Sequence, residues 1–151
     1  MRETDRQIWA RVRESGTLTA EQALLPERLT ALMAQEKTLA AACRQLEARL
    51  FGTGCNAVRR IRAQSENRVR RLKTQMYLRS GLRADPQSSS TPFYALLCEA
   101  LRAACLLAQT LQTQYLKTAE EFPGEAEMLS PLAAELGCNL KMLTALLQRS
   151  L

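Results

Sequence analysis

Apolar residues recur at three- and four-residue steps over three long stretches of the chain. Between residues 29 and 50 the step selects Leu29, Leu32, Glu36, Leu39, Cys43, Leu46 and Leu50. A middle stretch gives Val58, Ile61, Ser65, Arg68 and Leu72, and a C-terminal one gives Leu129, Leu132, Leu136, Asn139, Leu143 and Leu146. This is the period of helices that each bury one stripe. Strand-like alternation is nearly absent. The pattern predicts an all-α chain of four long helices, over about residues 26–50, 55–80, 92–118 and 125–149. A short leading helix is expected over about residues 3–14, with Ile8, Trp9 and Val12 on one side. Four polar side chains interrupt the stripes: Glu36, Ser65, Arg68 and Asn139. Burying such groups unpaired costs roughly 2–7 kcal/mol for a neutral one and more for a charge. They must pair with one another or mark an altered site.

Turn residues punctuate the same plan. Pro26 suits the first turn of the first long helix. Phe51-Gly52-Thr53-Gly54 forms a tight loop that sends the second helix back antiparallel, and Gly81 ends that helix as a C-terminal cap. Residues 82–91, with Asp85-Pro86 and Ser88-Ser89-Ser90, read as a linker. Phe122-Pro123-Gly124 turns the chain again; Ser130-Pro131 could then start the fourth helix, or Pro131 could kink a helix begun near Glu125, and the kinked version is preferred. Helices of this length are about 36 Å long. The linker over residues 81–91 spans at most about 37 Å. That permits a long crossover with the second and third helices parallel, or an up-down-up-down order; length alone does not decide.

With 151 residues rich in Leu, Ala, Gln, Glu and Arg, the chain suits one helical domain. No apolar run approaches the roughly 20 residues of a membrane span; the most apolar stretch, residues 94–108, is broken by Glu99 and Arg102. The charged N-terminus leads into no signal-peptide core, so the reading is a soluble, cytoplasmic protein with no membrane partner. Five cysteines, none in CxxC spacing, read as reduced and mostly buried packing residues. Histidine is absent, which removes the commonest general base and metal ligand.

Charge is unevenly spread. Residues 49–83 carry ten basic side chains against the single acid Glu66, whereas residues 119–135 carry five glutamates and no base. Arg59, Arg62, Arg70 and Lys73 share one side of the second helix. A solvated arginine face is the simpler reading of this patch. The polarity also favours self-association, most simply as a two-fold homodimer. Nucleic-acid binding draws little support: no aromatic residues interleave with the bases, and no recognition-helix signature is present.

The pattern resembles the ferritin-like superfamily, specifically small rubrerythrin-like proteins of anaerobic bacteria. The strongest local match is Arg60-Ile61-Arg62-Ala63-Gln64-Ser65, continuing to Arg70-Arg71-Leu72 and to Tyr77-Leu78-Arg79-Ser80-Gly81. Proteins of that family hold two metal ions with a Glu on the first and third helices and Glu-x-x-His on the second and fourth. The resemblance implies that Glu36 matches the first-helix glutamate and Glu99 the third-helix one. Ser65 and Arg68 stand at the second-helix motif, and Leu136 and Asn139 at the fourth. Both Glu-x-x-His motifs are lost.

A guanidinium stays protonated and cannot ligate a metal. The expectation is therefore that Arg68 takes over the positive charge, pairing with Glu36 and with Glu99, and that pairing lowers the Glu36 pKa. The competing arrangement has Arg68 reaching outward to water. Glu66 and Glu135 each lie one residue from a lost glutamate position, and one residue turns a helix by about 100°, which directs them away from the core. The functional expectation is a non-catalytic, metal-free bundle without cofactors that acts through protein binding or self-assembly. A divergent metal or redox protein using Glu36, Glu99 and cysteine thiolates is the first alternative. A basic accessory protein that binds nucleic acid is the second.

Overall fold

The computed structural model describes residues 24–151, and among them it has four long helices and no strand. They are α1 (Leu25–Glu47), α2 (Gly52–Ser80), α3 (Leu97–Glu121) and α4 (Ala126–Ser150), with a 3-10 turn at Pro123–Glu125. The expected leading helix over residues 3–14 lies outside the described residues.

Local chemistry sets most of the boundaries. Pro26 occupies the first turn of α1, with Glu27 at its positive end and Arg44 at its negative end. The helix stops at Glu47, earlier than expected, because the Arg49 and Leu50 N–H groups both turn back to the Leu46 carbonyl. Gly52 then takes φ 59°, a left-handed conformation, and opens α2 at once. At the other end Gly81 takes φ 69° and its N–H donates to the Tyr77 carbonyl at 2.8 Å, the expected cap. The third helix begins at Leu97, not near residue 92. The Arg49 guanidinium engages the non-helical segment before it, donating to the Tyr94 and Ala95 carbonyls at 2.6 and 2.9 Å and lying over the Phe93 ring. In α4 the helix runs on through Pro131, which is exposed.

The longer connection, residues 81–96, settles the helix order. It leaves α2 beside the middle of α1, where Lys37 and Lys73 both hold Asp85, and follows α1 to its C-terminal end at Arg49. Between these points the Ser89 N–H donates to the Thr38 hydroxyl. Consequently α3 starts at the C-terminal end of α1 and ends beside its start, where Arg28 meets Glu121. Helix α4 runs back along α2, from Glu125 beside Arg79 to Leu146 beside Gly54. The connection is thus a full crossover, α2 and α3 are parallel, and each helix packs against antiparallel neighbours: α1 on α2 and α3, α4 on α2 and α3.

The apolar stripes meet in one core. Every stripe residue named above is buried except Leu50, which lies beyond the end of α1. Helix α3 contributes Leu101, Ala104, Ala108, Leu111 and Tyr115. Each fully buried Leu adds roughly 1.5–3 kcal/mol. The cysteines are less buried than expected: Cys43 and Cys55 are core residues, Cys98 and Cys105 are half-buried, and Cys138 is exposed. All five are free thiols.

Candidate functional site

The four polar residues that interrupt the stripes come together. Glu36, Ser65 and Arg68 are 0% exposed and Asn139 is 1% exposed. Arg68 is the centre. Its Nε donates to Glu36 Oε2 at 2.6 Å, and its Nη1 donates to Asn139 Oδ1 at 2.9 Å and to Glu135 Oε1 at 2.8 Å. Ser65 donates its hydroxyl to the Glu36 main-chain carbonyl at 2.9 Å, which ties α2 to α1 beside the ion pair. The Asn139 amide donates in turn to Gln64 Oε1 at 2.6 Å, fixing which face of the amide meets Arg68. Tyr115 brings α3 to the same level, close enough that its phenol feels Glu36 and Arg68. Among the described residues Glu36 Oε1, Arg68 Nη2 and Tyr115 Oη are buried with no hydrogen-bond partner.

Two expectations are corrected. Glu99 is exposed in the first turn of α3 and does not reach Arg68. It lies about 24 Å along the helix from Tyr115, the α3 residue level with the cluster. The second carboxylate is instead Glu135, which the helical rotation directs away from the core. Its long side chain bends back from the rim, still 34% exposed, to meet Nη1. Leu136, its neighbour, fills the core position itself. Glu66 does stay outside, bonded to Arg44 and Arg62.

The electrostatics also depart from expectation. Burial raises the Glu36 pKa to about 7, and the attraction of Arg68 only partly opposes this. Arg68 loses hydration too, yet Glu36 beside it holds the guanidinium charged. Burial likewise pushes the Tyr115 phenol well above its usual range and the Cys43 thiol up to about 12. Cys43 therefore remains a thiol, not a ligand-ready thiolate.

These residues do not fit a pair of metal ions. A permanent cation sits among the carboxylates, Glu36 Oε2 is already committed to it, and no imidazole exists in the chain. Among the described residues no three His, Cys, Asp or Glu side chains group so as to hold a metal. Glu36 titrates near neutrality, but a substrate has no approach to it.

The basic side of α2 is largely answered from within the chain. Arg59 and Arg62 meet Glu47 of α1, Arg62 also meets Glu66, and Lys73 meets Asp85 of the crossover. Arg70 is exposed without an ion pair among the described residues, as are Arg60 and Arg71. No helix among the described residues is long and apolar enough to cross a membrane. Comparison with protein-family models, with curated proteins and with solved structures gives no match.

Proposed function

We propose that this chain is a ferritin-like four-helix bundle whose metal centre has been replaced by a protein charge, and that it acts by binding and self-assembly, not by catalysis. The observation that carries this reading is Arg68, sealed at the level where all four helices converge and held by Glu36, Glu135 and Asn139. The crossover between α2 and α3 supports the same relationship, since ferritin-like bundles have one long crossover connection. A guanidinium in this position repels a divalent cation and uses the carboxylate oxygens that would bind it.

The thiolate alternative draws no support: among the described residues no three His, Cys, Asp or Glu side chains group to hold a metal, and burial pushes the Cys43 thiol up to about 12. The nucleic-acid alternative is weakened by the acids that neutralise Arg59, Arg62 and Lys73. The test is elemental analysis of protein purified without chelators, followed by titration with iron(II), manganese(II) and zinc(II). Substoichiometric metal in both steps is expected. Two equivalents of tightly held metal, lost in a Glu36→Ala variant, would sink the proposal.

A further inference from the structure

A second feature lies on the outside of the core, between α1, α3 and the crossover. There the described residues form a groove of about 550 Å³. One wall is made of small and branched apolar side chains, with Ala34 and Ala42 from α1 facing Ala103 and Leu107 from α3. The alanines create the space; larger residues at these positions would close it. The other wall is the crossover, which presents Ser89, Ser90 and Thr91. From Ala34 to Arg49 the groove follows α1 for about 22 Å. Its volume falls in the range of small-molecule sites, which are mostly apolar with a few convergent polar groups.

Charge along the groove is one-sided. Among the described residues that line it, Arg49 is the single charged one and none is a carboxylate. Arg49 uses Nη1 and Nη2 on the Tyr94 and Ala95 carbonyls, and a guanidinium carries further N–H donors. Two groove-lining groups are buried with no hydrogen-bond partner among the described residues, Thr91 Oγ1 on the crossover and Gln35 Oε1 on α1, although such groups are normally satisfied. Leu106, a large apolar side chain that is 59% exposed, borders the groove on the α3 side.

We infer that this groove binds a small amphiphilic monocarboxylate, its carboxylate at Arg49 and Thr91 and its single hydrocarbon body along the alanines of α1 and α3. The carboxylate accepts from the cation and the unpartnered hydroxyl, and the hydrocarbon removes the exposed apolar wall from water. Nothing in this site uses Arg68, so it stands independently of the proposed loss of metal.

The test uses sodium dodecanoate below its micellar concentration, with dodecanol as the uncharged probe of equal length, followed by amide chemical shifts and calorimetry. One saturable dodecanoate site per chain is expected, with shifts at Ala34, Thr91 and Ala103. Arg49→Gln should weaken dodecanoate about tenfold more than dodecanol, the loss of one charge-assisted contact beyond what the altered crossover costs both probes. Ala103→Phe, which fills the groove from the α3 side without touching Arg49, should abolish binding of both probes while the helical circular dichroism is retained. Absence of saturable dodecanoate binding overturns the inference, as does retained binding in a folded Ala103→Phe protein. Dodecanol binding as tightly as dodecanoate, or equal weakening of both probes by Arg49→Gln, overturns the assignment of the carboxylate end.

Discussion

Burial and charge compete at Glu36, and burial wins: its pKa is raised to about 7 even with a guanidinium 2.6 Å away. The sign of the consequence follows from linkage. A carboxyl with a higher pKa in the folded state holds its proton more tightly there, so its contribution is fully present below the unfolded value of 4.5 and is lost as pH rises through about 7. The wild-type protein should therefore be more stable near pH 5 than near pH 8 in urea unfolding, and Glu36→Gln should flatten that difference. Arg68→Ala removes the charge that opposes the shift and strands the carboxyl, so a loss of roughly 3–5 kcal/mol is expected at neutral pH, smaller at pH 5. Unchanged neutral stability would show that Arg68 is not the keystone of the core. The sequence made Glu36, Ser65, Arg68 and Asn139 legible because a helical period needs only spacing. Glu135 was not legible, since a rotation argument places Cα–Cβ directions and ignores how far a glutamate bends back. Tyr115 carried a signal that was not used: Leu101, Ala104, Ala108, Leu111 and Tyr115 repeat at three- and four-residue steps, with Gln112, Thr113, Gln114 and Lys117 around the tyrosine.

At the scale of elements, the cap that ends α2 was readable, whereas the end of α1, the start of α2 at Gly52 and the start of α3 were each displaced by a few residues. Gly81 announces itself, because only glycine takes φ 69° without cost. Gly81→Ala should lower stability by about 1–2 kcal/mol in denaturant unfolding, the steric cost of a left-handed residue with a Cβ. A smaller change would mean that the crossover readjusts to accept a right-handed cap. The late start of α3 could not be read in the same way. It depends on Arg49, some 45 positions earlier, engaging the Tyr94 and Ala95 carbonyls and keeping residues 93–95 out of the helix. That same contact lengthens the connection enough to complete the crossover that chain length alone left open.

For the molecule as a whole, the sequence's separation of charge survives folding only in part. Glu47, Glu66 and Asp85 neutralise much of the α2 surface, leaving Arg60, Arg70 and Arg71 outward-facing, while Glu120 and Glu127 are exposed near the α3–α4 turn. Opposite signs on separate parts of one chain attract a second copy, most simply across a two-fold axis. Sedimentation at high micromolar concentration should show a dimer in low salt that dissociates as salt is raised, because exposed charges are screened within about 10 Å at 0.1 M. A monomer under the low-salt condition would remove self-assembly from the proposed role.

The crossover divides the chain into two hairpins, α1 with α2 and α3 with α4, and Arg68 is bonded across that division. Its Glu36 partner belongs to its own hairpin, whereas Glu135 and Asn139 belong to the other. Leucine faces would tolerate several sliding registers, because one apolar contact replaces another at little cost. The guanidinium tolerates only one. A slip of a single helical turn, about 5.4 Å, carries Glu135 and Asn139 out of reach and leaves a dry charge half-answered. The buried cation thus favours one alignment of the two hairpins over its neighbours.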